Sequence, residues 1–269
     1  MNSPIWQRLW QRIAALFPSA YRWPAMDMRL GDRQLHLTGS IHMGTRNMQP
    51  LPAGLLRQLQ KADALIVEAD ITRGGSPFAD TADLPPLHTR LDSATLTRLQ
   101  TLCRDLGLES ALFDTLPCWQ IALMLQAHQA QRLGLRPEYG IDYQLLQAAK
   151  AADKPVIELE GPETQIALLK SLPQEGRALL VDTLEHWHTN ARLLQTMISW
   201  WLEAPPAQQP VSLPATFGGE LSDTLMRNRN QQWREQLLAL PSGRYLVAVG
   251  ALHLYGDDNL PGLLKQKQM

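Results

Sequence analysis

The 269-residue chain is 45% hydrophobic and 19% charged, an ordinary globular balance able to bury a sizeable core. A formal net charge of −1 with no basic run speaks against a phosphate-tracking groove, so no nucleic acid is expected as partner. Two cysteines, Cys103 and Cys118, are too few for a disulfide framework and form no Cys-x-x-Cys zinc pair; they read as semi-buried thiols in a reducing compartment.

The first element is "MNSPIWQRLWQRIAALFPSAYRW". Ile5, Leu9, Trp10, Ile13, Leu16 and Phe17 recur at helical spacing opposite Gln7, Arg8, Gln11 and Arg12, which predicts an amphipathic helix over residues 1–22. Gln11 and Arg12 interrupt the apolar run of a secretory signal, and the stretch is too short and polar to span a bilayer. The helix is expected to pack on the flank of the domain, with peripheral membrane contact as the alternative. The chain therefore reads as cytoplasmic.

Residues 23–269 read as one α/β domain. "MDMRLGDRQLHLTGS" predicts a hairpin around Gly31-Asp32, and Leu51, Leu55, Leu56 and Leu59 predict a helix. "DALIVEAD" is a short continuous apolar run, the pattern of a strand buried between helices. A Gly/Pro-rich stretch, "ITRGGSPFADTADLPPL", follows without periodicity. Helices are then expected over "SATLTRLQTLCRDLGL", "PCWQIALMLQAHQAQRLGL" and "IDYQLLQAAKAADK", and a further buried strand at "PVIELEG". From about 161 to 240 the pattern is almost all helical, including one long helix over "EGRALLVDTLEHWHTNARLLQTMISWWLEA" and a proline-rich break after it. "GRYLVAVGALH" reads as the last strand and "NLPGLLKQK" as a closing helix. Strands alternating with helices imply a central, largely parallel or mixed sheet with covering helices and a mainly helical insertion before the last strand.

Chemistry-bearing side chains gather at the strand ends. Leu35, Leu37, Gly39 and Ile41 alternate with Gln34, His36, Thr38, Ser40 and His42, so His42 falls just past its strand. "ALIVEAD" runs out at Glu68, "PVIELEG" at Glu158 and Glu160, and the last strand at Gly250 and His253. Parallel strands would bring these ends to one sheet edge, where open α/β sheets bind ligands. Two imidazoles and a carboxylate suit zinc, manganese, iron or cobalt, and an open position admits a water for hydrolysis. Gly39 and Gly250 read as places where the backbone approaches a bound group, and Gly44 and Gly256 as sharp exits. His186 and His188 sit at i and i+2 and share no helix face, so they read as unconnected surface or core residues, like His88 and His128.

"GSIHMGT", "LIVEAD", "YGIDYQLL", "ELEGPETQ", "RNRNQQW" and "VAVGALHLYGDDNLPGLL" together resemble the motifs of the TraB/GumN family, related to the TIKI group of metal-dependent proteases. The resemblance runs from about Gly39 to Leu264. It implies that His42 and His253 are the paired Gly-x-x-His histidines, that Glu68 is the acidic strand end, and that Asp142 and the Arg229-Asn230 pair belong to the site. It further implies a divalent metal, peptide-bond hydrolysis and a peptide or protein substrate. Erythromycin-esterase-like and haem-binding proteins are more distant relatives. Many family members carry a signal peptide or lipid anchor, and neither is expected here.

The resulting expectation is a metal-dependent hydrolase. His42 and His253 would be ligands, with Glu68 as a third ligand or as the base for water. Arg229 would stabilise the tetrahedral intermediate, Asp142 would have a catalytic or capping role, and Gly39, Gly250 and Asn230 would contact the bound group. Segments after Glu68 and over 204–214 are candidate lids. Two alternatives are a metal-free hydrolase with a histidine base and a non-enzymatic haem or ligand binder.

Overall fold

The computed structural model describes residues 21–73, 83–206, 211 and 218–266. All but the last two residues of the N-terminal helix expected over 1–22, and most of both candidate lids, lie outside this range.

The hairpin forms as read: β1 (Ala25–Leu30) pairs antiparallel with β2 (Arg33–Ser40). After α1 (Ala53–Lys61), the apolar run supplies β3 (Ala64–Val67), and "PVIELEG" supplies β4 (Val156–Glu158). With β5 (Gly243–Gly250) they complete a sheet in the order β1-β2-β5-β3-β4, in which all neighbours except β1 and β2 are parallel. Ser40 lies opposite Gly250, while Val67 lies opposite both Ala248 and Glu158. The four parallel strands thus end at one edge. Leu65, Ile66, Leu246 and Val247 are fully buried in the middle of the sheet, each worth roughly 1.5–3 kcal/mol of burial.

Between β3 and β4 come α2 (Ser93–Leu106), α3 (Cys118–Arg132) and α4 (Ile141–Ala151). Asp92 caps α2 by accepting from Thr95 N, and Gly107 closes it in the left-handed conformation. Between β4 and β5 come α5 (Pro162–Lys170), α6 (Pro173–Glu185) and α7 (Trp187–Leu202). A turn at Gly219–Ser222 and a π-helical turn at Asp223–Arg227 then lead into α8 (Asn228–Ala239). After β5 the chain ends in α9 (Ala251–Tyr255) and α10 (Leu260–Lys265). Among the described residues no helix is long and apolar enough to cross a membrane.

Three sequence expectations need correcting. The long helix over 175–204 is two helices, broken at His186, whose φ and ψ are −101° and 20°. The break has a packing reason: Leu179 and Leu180 of α6 join one core, with Leu99, Cys103, Trp119 and Leu125, whereas Met197, Trp200 and Trp201 of α7 join the core around the sheet. The helical insertion at 161–240 shares its core with the preceding connection, whose α2 and α3 supply half of it. β4 is not a buried strand but an edge one, with Ile157 37% exposed. Finally, the last strand stops at Gly250, and Ala251 to Tyr255 are helical. Cys103 and Cys118 are buried free thiols, pushed up from the usual thiol range chiefly by that burial.

Candidate functional site

At the C-terminal edge of the sheet, two histidines are held in the same way by different partners. His42 follows β2, and its Nδ1 lies 2.9 Å from Asp142 Oδ2. Asp142 sits in the first turn of α4, yet its carboxylate serves the histidine and not the helix end, which Gly140 occupies without a side-chain cap. Close backbone approach delivers it: Ile141 N donates to Ile41 O at 2.9 Å, and a Cβ on Gly140 would stand 2.2 Å from His42 O. Only glycine fits there.

His253 occupies the first turn of α9. Its Nδ1 donates to Asn230 Oδ1 at 2.7 Å, while Asn230 Nδ2 donates to Asp258 O. The imidazole also packs at a 48° tilt against Trp233, with centroids 4.4 Å apart. Helix α9 can start this close to the sheet because Gly39 has no side chain. A Cβ there would meet Ala251 Cα and Cβ at 3.2 Å.

Glu68 lies within electrostatic reach of both histidines. Oε1 accepts from Gly250 N at 2.6 Å, and Oε2 accepts from Arg229 Nη2 at 2.6 Å and Gln165 Nε2 at 3.3 Å. Arg229 also grips Glu160 through Nε and Nη2, at 2.7 and 2.9 Å, and lies 4.7 Å from the Trp233 ring centroid. Its Nη1 points to Leu225 O and to His253 Nε2, at 3.2 and 3.3 Å. Every guanidinium N–H is thereby engaged.

Charge separates the two imidazoles. The Asp142 carboxylate, first by its charge and then by its hydrogen bond, raises His42 to about 9 against the cost of burial, with Glu68 adding to the pull. Since 62% of the His42 side chain is exposed, water screens part of this attraction. Burial, helped by Arg229 and His42, pushes His253 down to about 4 despite Glu68. Burial alone would raise Glu68, but His253, Arg229, His42 and the Gly250 N–H together hold it at about 2. With His253 neutral at pH 7, the lasting part of that depression comes from Arg229 and protonated His42, which remain charged, and from the Gly250 N–H.

The structure therefore brings His42, Glu68, Asp142, Arg229, Asn230, Gly250 and His253 together. Several expected roles change. Gly39 meets Ala251 and Pro24, not the site, and its carbonyl accepts from Trp201 Nε1 at 3.1 Å, so its close approach is to protein. A Cβ on Gly250, by contrast, would face Glu68 Oε1 at 3.2 Å and His253 Cδ2 at 3.5 Å. Asn230 orients His253, and Arg229 has no N–H to spare for an oxyanion. Glu158 accepts from Asp70 N at 2.6 Å and fixes the turn after β3. Glu160, one of the strand-end carboxylates singled out in the sequence, is the one that Arg229 grips. Sequence reasoning passed over Gln165 and Trp233 as site residues; they fall within "ELEGPETQ" and "RNRNQQW", so proximity to the motif residues was the available signal. His88, His128, His186 and His188 take no part in these contacts.

Comparison with known proteins adds the following. A model of the TraB/PrgY/gumN family matches residues 26–269. Proteins named "Uncharacterized protein YbaP", from Escherichia coli strain K12 and from Shigella flexneri, are each 58% identical over 253 residues, covering 94% of this chain and 96% of theirs. No solved structure gives a significant match.

Proposed function

The chain belongs to the TraB/PrgY/gumN family, and we propose that it is a divalent-metal-dependent hydrolase of peptide bonds, a TIKI-like activity. One observation carries this reading. Two imidazoles at one sheet edge each have Nδ1 fixed by a side-chain oxygen, Asp142 for His42 and Asn230 for His253, with an ionised Glu68 in electrostatic reach of both. An oxygen on Nδ1 is how proteins orient metal-binding histidines, fixing the tautomer and leaving Nε2 for the ion.

The donor chemistry fits a metal at its imidazoles and less well at its carboxylate. Both Glu68 oxygens are already engaged, and among the described residues no set of three His, Cys, Asp or Glu side chains stands ready as ligands. His42 and His253 would hold the ion, and Glu68 would stand beside it. A bound Mn, Co, Zn or Fe ion would polarise the substrate carbonyl and make its water acidic enough to attack at neutral pH. Glu68 stays ionised there and can take the proton of an attacking water through an oxygen released from Gln165 or Arg229. Arg229 keeps Glu68 charged, and Trp233 walls off one face of His253. Asp142 and Asn230 are positioning residues.

A second reading draws on a specific contact. Arg229 Nη1, a fixed cation, lies 3.3 Å from His253 Nε2, the nitrogen a metal would use. In a metal-free hydrolase, Glu68 would be the base and protonated His42 the proton donor. Hydrolysis of a peptide library, measured before and after chelation and re-addition of Mn, Co, Zn or Fe, separates the two. Loss on chelation with recovery on loading supports the metal reading. Undiminished turnover in chelator supports the second, and no cleavage of any peptide under either condition removes both. Glu68→Gln is expected to abolish turnover in either case, and retained metal would identify Glu68 as base.

A further inference from the structure

A cleft near the opposite end of the sheet gathers cations. It has a volume of about 520 Å³, lies where the end of α1 meets the first residues of β2 and β5, and is lined by Arg29, Lys61 and Arg244. All three residues are exposed. Sheet register explains two of them. Arg29 pairs with Gln34 across β1 and β2, and Gln34 pairs with Arg244 across β2 and β5. Directly opposed residues point to the same face, and neighbouring strands lie about 4.8 Å apart. The two arginines therefore flank Gln34 on one face, with their Cα atoms about 10 Å apart. Lys61, the last residue of α1, lines the cleft from the helix side.

The negative groups nearby are already engaged. Asp27, the carboxylate in the lining, is held by His36 Nδ1 at 2.8 Å and Tyr21 Oη at 2.5 Å. Asp63, beside the cleft, accepts from Arg244 N at 2.8 Å, and the Ala62 carbonyl at the end of α1 accepts from Lys154 Nζ at 2.6 Å. Among the described residues, three cations thus face one engaged carboxylate, a local surplus in a chain of net charge −1. Guanidinium and ammonium groups only donate and stay charged at neutral pH, so their complement is an acceptor-rich anion. We propose that this cleft binds a phosphate group. A phosphomonoester carries about −1.5 to −2 charge and three acceptor oxygens, which matches three cations. A carboxylate offers one charge and two oxygens, and would leave the cleft cationic. Arg244 precedes Gly250 along β5 by about 20 Å at roughly 3.3 Å per residue, so the cleft is separate from the histidine site and independent of the metal reading.

Calorimetric titration of the full chain with inorganic phosphate and with phenyl phosphate tests this. Saturable binding is expected, weakened about tenfold or more by Arg29→Gln and by Arg244→Gln, because each removes charge-assisted hydrogen bonds to the anion. Arg192→Gln, an equal charge change at an exposed position of α7 outside the cleft, should leave binding unchanged. Should either cleft variant fail to fold, Lys61→Gln carries the same expectation. Co-sedimentation with phosphatidylcholine vesicles, with and without phosphatidic acid, separates the sources of the phosphate. Sedimentation that requires phosphatidic acid and is lost in Arg244→Gln identifies a lipid headgroup, and phenyl phosphate binding without vesicle binding identifies a soluble phosphate ester. No saturable binding of either phosphate, or binding that the cleft variants and Arg192→Gln weaken alike or leave alike, would overturn the proposal.

Discussion

The two histidine arms of the site share a plan and differ in chemistry. Each follows a parallel strand and anchors Nδ1 to a side-chain oxygen from a helix elsewhere in the chain. On the His42 arm the oxygen belongs to a carboxylate and the ring is largely exposed; on the His253 arm it belongs to an amide and the ring is buried under Trp233. One imidazole is therefore a cation at neutral pH and the other is not. The lesson is that a repeated sequence motif fixes where an imidazole stands, while the partner supplied by another element fixes its charge.

The largest test of this asymmetry is Arg229, which touches only the His253 arm. Arg229→Met leaves Glu68 and Glu160 buried without their cation, and is expected to cost about 3–5 kcal/mol in urea unfolding. A loss below about 1 kcal/mol would mean the pair is more hydrated than its 14% and 6% side-chain exposures indicate.

The glycines on the two arms come next. Gly39→Val drives a side chain into Ala251 and is expected to cost roughly 1–3 kcal/mol of stability by overpacking. Gly250→Val faces Glu68 and His253 instead, so its main effect should fall on activity and metal content. Equal effects from both on folding and on activity would erase the distinction.

Exchanging the anchors should exchange the charges. Asp142→Asn is expected to lower the His42 titration from about 9 toward the ordinary value near 6.5, and Asn230→Asp to raise that of His253 from about 4. Shifts on the order of 1–3 pH units, read from the imidazole C–H resonances of chelated protein, are the expected size. Titrations that ignore the exchange would show that burial alone sets them.

The asymmetry also bears on the pH dependence of stability in chelated protein. His253 has its folded value below its unfolded one, so its contribution is complete above about pH 6.5 and lost as pH falls toward 4. Glu68 adds a further loss between about 4.5 and 2. His42 runs the other way, contributing fully below about 6.5 and losing that contribution as pH rises through about 9. His42→Gln should flatten the alkaline limb only, and His253→Gln the acidic limb between 6.5 and 4. Unfolding midpoints across pH check both.

Much of this was legible in the chain. Apolar runs ending in polar residues located β2, β3 and β5, and parallel pairing then brought His42, Glu68 and His253 to one edge. What was not legible depends on contacts between distant segments. Nothing local says that Arg229 will spend all its donors on Glu68, Glu160, Leu225 and His253, or that Gly39 makes room for Ala251. Helical spacing also runs unbroken through His186, because the bend there reflects which core each half joins and not a breaker in the sequence. Most of both candidate lids and most of the helix expected over 1–22 fall outside the described residues.

The most direct test of the central claim is metal content in protein purified without a histidine tag and loaded with Mn, Co, Zn or Fe. Wild-type chain is expected to hold about one ion, with His42→Ala and His253→Ala each losing most of it, since a remaining pair of ligands or fewer binds transition metals poorly. The double variant should lose little more, because the two act as a unit. A wild-type chain that retains no ion under any loading, or an ion that survives both single substitutions, would contradict the shared-metal account.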